Sequence, residues 1–396
     1  MKILSFLSRR KNYVLVIFLL FLFSWFIGHS KINKNLSVYV QSAADSLRVV
    51  KTKNSSVYKI FDKSDRIYGY GAIGTGSGYG GNFSVFVISD TAGCIKKVVP
   101  VDTRETSAFL IRVLKNRDFT SSFHGRRYDD SFILSKDIDA VTGATFTSRG
   151  YAEAAENALK KIGISFFNYR KEDIRKFNIV FGTAEVIIIL LFIGGAVVRK
   201  IGGRAVKTGR IVSSLCGFLL LGVILNRPLT LTFFGRAMLG YFPPVSTDIY
   251  WYLLFGGTVI FAIIQRKNTY CYWICPFGAV QEGLNLITGI RKNPGFSRIL
   301  EKLPAVVSFS AIVIILFTNN PSEASYEIFS TLFRLIGSDY QFVLLFIFIV
   351  LSLFIFRPWC RFLCPVQPAI KLLTDMSCLI KDRTSGRYKK NNGDQE

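Results

Sequence analysis

Two sets of residues in this 396-residue chain have the types and spacing to do chemistry. The first is the hydroxyl-rich turn Asp139-Ala140-Val141-Thr142-Gly143-Ala144-Thr145-Phe146-Thr147-Ser148. It runs straight into a helical pattern, Arg149 to Ile162, with Tyr151, Ala155, Ala158, Leu159 and Ile162 on one face. Ser148 is the expected cap, Glu153 and Glu156 suit the positive end, Lys160 and Lys161 the negative end, and Gly163 a left-handed stop. Free amides at such a helix start, with Gly143 allowing close approach, make a seat for a phosphate. An ordinary capped surface helix would carry the same residues, so spacing alone leaves both readings open.

The second set is a pair of cysteine motifs. Cys271-Tyr272-Trp273-Ile274-Cys275-Pro276 and Cys360-Arg361-Phe362-Leu363-Cys364-Pro365 align as Cys-x-x-x-Cys-Pro, each after an apolar run and before a short amphipathic stretch. They read as an internal duplication. Lone membrane cysteines are usually small apolar residues, which is the reading for Cys216 and Cys378. Four cysteines in two matched pairs on one side of a membrane are different. If that side is the cytosol the thiols stay reduced, so ligation of an iron–sulfur cluster is the better use. Zinc would satisfy four thiolates equally well but moves no electron.

The elements that must position these groups follow from composition. Half the residues are hydrophobic, 36 are Phe, and the mean hydropathy is +0.34, so the chain reads as an integral membrane protein. The formal charge of +24 is explained by basic residues crowded into the loops on one side of the bilayer, with no nucleic acid as partner. Seven cysteines, unevenly placed, do not make a disulfide scaffold, and two histidines, His29 and His124, cannot hold a haem between pairs of helix histidines.

Residues 1–30 combine Lys2, Arg9, Arg10 and Lys11 with an apolar run from Tyr13 to Gly28 and no small-residue cleavage site. The expectation is a retained anchor. Residues 31–175 are hydrophilic and form a folded α+β domain, with strands at Asn82 to Ile88 and Cys94 to Val101 joined by a turn at Ser89 to Gly93. The glycine cluster Gly71 to Gly81 reads as a flexible hairpin loop. Residues 176–373 hold five apolar runs, Ile179 to Val198, Ile211 to Leu225, Ile249 to Ile264, Ala305 to Phe317 and Phe342 to Phe356, and residues 374–396 form a basic tail.

The basic groups at Arg199 to Arg210, Arg266 to Lys302 and Arg357 to Lys390 then lie inside the cell, giving an α-helical bundle of six transmembrane helices, both termini cytoplasmic and the α+β domain outside. The cysteine motifs fall at the cytoplasmic ends of the fourth and sixth spans. Glu185, inside the second span, needs a partner or a quinone-like ligand.

Asp139-x-x-Thr142-Gly143-Ala144-Thr145, with Thr147 and Ser148 trailing, resembles the acceptor motif of FMN-binding domains that carry covalent flavin. The order of landmarks, Tyr79-Gly80-Gly81-Asn82, then Glu105-Thr106, then Phe123-His124-Gly125 and the threonine motif, is similar to that family. One departure is Glu105-Thr106-Ser107-Ala108-Phe109-Leu110, where the family commonly has Glu-Thr-Pro-Gly-Leu-Gly. The joint presence of this domain and two Cys-x-x-x-Cys-Pro motifs, over roughly Gly69 to Leu373, resembles the NosR family and related flavoproteins encoded with reductive dehalogenases. The shorter, dehalogenase-associated type is the nearer likeness, since no ferredoxin-like domain follows the second motif.

The resemblance implies FMN joined as a phosphoester to Thr145 by a separate flavin transferase, with Asp139, Thr142, Gly143 and Ala144 as its recognition sequence. It also implies a cofactor site that includes Tyr79, Gly80, Gly81, Glu105 and Thr106, and an iron–sulfur cluster on Cys271, Cys275, Cys360 and Cys364. The expected function is electron transfer across the bacterial cytoplasmic membrane. Its partners would be membrane lipid, a quinone such as menaquinone, a separate cytoplasmic donor and an extracytoplasmic reductase or its maturation. The alternative is a redox-sensing membrane regulator without turnover; either way the chain is an electron-transfer component and no residue is assigned as catalytic.

Overall fold

The protein is described by a computed structural model that covers residues 2–31, 36–44, 47–52, 56–134, 136–169, 181–289 and 300–384. Arg291, Lys292 and Arg298, the tail beyond Thr384 and the side chain of Cys378 lie outside the described residues. The chain divides into two packed units. One holds residues 1–177 together with 234–242 and 312–325; the other holds 178–233, 243–311 and 326–396.

The first unit begins with helices α1 (Lys2–Lys31) and α2 (Leu36–Ala43). An antiparallel five-stranded meander follows: β1 (Arg48–Lys51), β2 (Val57–Phe61), β3 (Ile67–Ser77), β4 (Asn82–Ser89) and β5 (Ile95–Thr103), in spatial order β1-β2-β3-β4-β5. Then come α3 (Ser107–Lys115), α4 (Arg117–Ser121) and the long α5 (Thr145–Phe166). The two expected strands are present as β4 and β5.

The glycine cluster is not a loop. Most of it is β3, whose alternate residues feed two buried faces. Ile73 pairs with Phe86 across the sheet, and with Ile60, Ile88, Val101, Val40 and Ala43 it forms a core beneath α2. On the other face α5 lies across β3 and β4. A Cβ on Gly74 would stand 1.9 Å from the Ala154 carbonyl oxygen, and one on Gly76 2.1 Å from that of Gly150, so this helix seats directly on backbone. Propensity argues against glycine in a strand; the close approach of α5 overrides it.

Helix α5 is longer at both ends than its pattern implied. It starts at Thr145 and runs through Gly163, where a Cβ would stand 2.8 Å from the Tyr128 side chain and which takes no left-handed conformation. Tyr151 on its buried face packs edge-on against Phe119 and Phe123 and donates its hydroxyl to the Val98 carbonyl at 3.2 Å. Each such ring contributes about 1.5–3 kcal/mol by burial.

The second unit is built of helices. These are α6 (Thr183–Ile201), α7 (Gly203–Gly217) with a wider-wound extension Phe218–Ile224, α8 (Leu231–Leu239, shared with the first unit), and α9 (Ile249–Trp251) running through Tyr252–Gly256 into α10 (Gly257–Gln265). There follow α11 (Pro276–Thr288), α12 (Leu303–Thr318, also shared), α13 (Phe329–Arg334), α14 (Asp339–Phe354), α15 (Pro358–Phe362) and α16 (Val366–Thr384). Among the described residues one helix, Gly203–Ile224, is long and apolar enough to cross a membrane; Val16–Ser30, Ile249–Gln265, Leu303–Thr318 and Asp339–Phe354 are apolar but shorter.

Two expectations need correction. Arg204, Lys207 and Arg210 lie within the first turns of α7, whereas the sequence had them in a loop. Glu185 is in the first turn of α6, where its carboxylate accepts the Gly182 N–H at 2.9 Å. It is a helix cap and does not need a ligand.

Candidate functional site

In the first unit, the hydroxyl-rich turn is sorted by exposure. Asp139, Thr142 and Thr145 are exposed, while Val141, Ala144, Thr147 and Ser148 are buried. Gly143 takes φ +81°, the left-handed region that a side chain would oppose, and so turns the chain into the helix. Ser148 is not the cap. Its hydroxyl accepts the Val141 N–H at 3.2 Å and ties down the turn, and the first turn of α5 has no side-chain cap at Ala144. The start of this 22-residue helix, with no side-chain cap at Ala144, therefore lies beside the exposed Thr145 hydroxyl, an arrangement that favours a phosphate.

Behind this turn sits Glu105, 3% exposed. One carboxylate oxygen accepts the Gly80 N–H at 2.7 Å and the Thr106 N–H at 2.8 Å; the other accepts the Thr147 hydroxyl at 3.2 Å. Burial pushes its carboxyl up to about 7, against the pull of these donors and of the Arg236 charge. Four of the expected site residues, Gly80, Glu105, Thr106 and Thr147, are thus joined in one hydrogen-bonded group. The Tyr79 ring packs against Phe109 at a tilt of 59°, centroids 5.1 Å apart, and Gly81 lies in the same hairpin, against Arg104. The segment after Thr106 forms helix α3, which buries Phe109.

The first unit adds partners that no motif announced. Arg236, 1% exposed, donates to the carbonyls of Gly78 at 3.1 Å and Tyr79 at 3.2 Å and to the Ser77 hydroxyl at 2.9 Å. The Ser322 hydroxyl lies against Gly80 and 3.4 Å from the Thr106 hydroxyl, and Arg104 donates to the Asn319 carbonyl at 2.9 Å. The glycine hairpin is therefore held by residues from 234–242 and 312–325. The one available signal was arginine in an otherwise apolar connector.

The four cysteines lie together inside the second unit. The Cys360 and Cys364 thiols are hydrogen-bonded, and Cys271 and Cys275 are within electrostatic reach of each other and of Cys360. Pro276 opens α11 and Pro358 opens α15, positions where the missing N–H costs nothing. Gln281 on α11 crosses to the second motif, donating to Cys360 Sγ at 3.5 Å and accepting the Trp359 N–H at 2.9 Å. Arg357 crosses the other way, donating to the Cys271 carbonyl at 3.0 Å and pairing with Glu282 at 3.0 Å.

Two connectors of the second unit also meet the segments that carry the motifs. The Leu229 N–H donates to the Tyr270 hydroxyl at 2.8 Å, and the Tyr326 hydroxyl donates to the Leu363 carbonyl at 2.8 Å. The connectors 226–230 and 326–328 thus reach the segments that carry the cysteine motifs.

Among the described residues no three His, Cys, Asp or Glu side chains stand close enough to share one metal ion. A tetrahedral zinc with Zn–S of about 2.3 Å would gather its sulfurs within about 4 Å. The four thiols, with an amide donor already on one sulfur, fit the larger iron–sulfur cluster better.

Residues 78–160 match the family model of the FMN-binding domain, and residues 247–294 with 342–375 match that of the 4Fe-4S binding domain. The first match spans Gly80, Glu105 and Thr145; the second spans all four motif cysteines. Among curated proteins, the regulatory protein NosR of Pseudomonas aeruginosa is 30% identical over 134 residues, 31% of this chain. The chain covers only 18% of that protein's length. No solved structure matches. The two domain matches together support a flavin and iron–sulfur electron-transfer protein, and the chain is similar to NosR-like FMN-binding membrane proteins.

Proposed function

We propose that this protein passes electrons through the cytoplasmic membrane between a 4Fe-4S cluster on Cys271, Cys275, Cys360 and Cys364 and an FMN esterified through its phosphate to Thr145. The observation that carries the reading is the presence, in one polypeptide, of four converging thiols and an exposed threonine at an uncapped helix start. When bound, the flavin supplies one- and two-electron steps and the cluster one-electron steps. The chain's own residues anchor and tune. The α5 amides and Thr145 hold the phosphate, Asp139 and Thr142 stand on the same exposed face for a flavin transferase to read, and Glu105 with Thr147 fixes the turn from behind.

The six apolar helices, α1 included, form the bundle, with basic residues of the α6–α7 junction and beyond α14 on the cytoplasmic side and the flavin domain outside. A cytoplasmic donor or the quinone pool reduces the protein, and an extracytoplasmic reductase, or its assembly, consumes the electrons. The name of the similar protein favours a second reading, a membrane regulator that reports flavin redox state.

Two measurements test the proposal. In denaturing gels, flavin fluorescence should travel with the wild-type chain and vanish in Thr145→Ala; fluorescence that persists in the variant rejects the attachment site. In inside-out vesicles, a reduced low-potential donor should reduce the outer flavin at a rate that supports turnover, whereas a protein that only signals would show reduction orders of magnitude slower.

A further inference from the structure

We infer that the Arg357 guanidinium is the fixed cation that sets the reduction potential of the cluster site, with Glu282 as its counterweight. This deepens the cluster assignment above and rests on it. Arg357 is mostly buried, with 13% of its side chain exposed. Its backbone is left-handed at φ +50°, a conformation unusual for arginine. From there one nitrogen reaches the Cys271 carbonyl, another lies 3.3 Å from where a Gly278 side chain would begin, and the charge is felt by Cys271, Cys275 and Cys360. It thus belongs to both motifs at once.

The duplication shows that this cation is a specific addition. With the motifs superposed on their cysteines, Arg357 corresponds to Asn268, which only accepts the Cys271 N–H at 3.0 Å. Gln281 corresponds to Ile370 in the same alignment. The two half-sites therefore differ where charge and hydrogen-bond donors meet the sulfurs.

An electron added to a buried, thiolate-ligated site adds one negative charge there. In a medium of low dielectric that charge is costly unless a cation stands near it. Arg357 supplies a cation that cannot lose its proton, so compensation needs no proton uptake. Glu282 binds Arg357 on one side and Arg210 on the other, and lies within reach of Cys360. It holds the guanidinium in place and opposes its field.

The test uses full-length protein purified anaerobically in detergent, with iron and acid-labile sulfide determined on every sample. The readout is a potentiometric titration followed by electron paramagnetic resonance. Arg357→Gln should disfavour reduction at least tenfold, about 59 mV for one electron. Arg357→Lys should recover most of the loss, and Glu282→Gln should move the potential the opposite way. A merely structural contact gives no such pair of opposed shifts. Iron-loaded Arg357→Gln with wild-type potential overturns the inference. If Arg357→Gln holds no iron, Glu282→Gln decides alone, and an unchanged or lowered potential there overturns it. Wild-type protein without iron would instead reject the cluster assignment, a separate result from a failure of tuning.

Discussion

Thr145 and Thr147 are two residues apart in one motif, yet one is exposed and the other buried, and that difference assigns their roles. Removing the Thr147 hydroxyl takes one hydrogen bond from Glu105. Thr147→Ala should cost about 1 kcal/mol of domain stability while keeping its flavin, which thermal unfolding and gel fluorescence would show together. Glu105 carries a pH signature. Its carboxyl is raised to about 7 in the fold, so the folded state holds a proton that the unfolded chain has already lost above its ordinary value of 4.5. Stability from this group is full below that ordinary value, falls as pH rises toward 7, and is flat beyond; the whole span is worth at most about 3 kcal/mol at 1.36 kcal/mol per unit. Glu105→Gln should abolish that slope in a pH series of melting curves. An unchanged slope would place the proton elsewhere.

At the scale of elements, the contact between α5 and β3 is the joint on which the acceptor turn depends. Gly74→Val would force a side chain into the Ala154 carbonyl, lift the helix and displace Thr145. A loss of about 2–4 kcal/mol is expected, read as a lowered melting temperature and reduced flavin loading of the purified protein. This joint was also where sequence reading failed. Residues 71–81 carry so many glycines that they read as a loop, because the signal for a strand is a side chain that packs, and here backbone of a helix takes its place. By contrast β4 and β5 carry short runs of packing side chains, Val85 to Ile88 and Val98 to Val101, and were legible, as was the buried face of α5. Its ends were not. Ser148 has the residue type of a cap but spends its hydroxyl on Val141, and Gly163 is small to admit Tyr128, with no turn to make.

For the whole molecule, the duplicated cysteine motifs could be read directly because ligand spacing is a local property. Gln281, Arg357 and Arg236 belong to no motif, and only the fold brings them to their sites. The proposed topology makes a simple prediction. A membrane-impermeant thiol reagent added to intact cells should label the partly exposed Cys94, and a Cys94→Ser protein should stay dark until the cells are opened. With Cys216 and Cys378 also replaced by serine, labelling of both proteins from outside would move the motif cysteines to the outer compartment and end the transmembrane scheme.

The grip of Arg236 and Ser322 on the hairpin at Gly78 to Gly80 has a practical side. Residues 31–175 look like a detachable module, but a fragment cut at those limits would leave two carbonyls and a buried carboxylate without the cation that serves them. An excised fragment should therefore be a poor substrate for flavin attachment. Anyone grafting this domain onto a related protein must transplant three pieces of chain, and natural recombination at its apparent borders would meet the same obstacle.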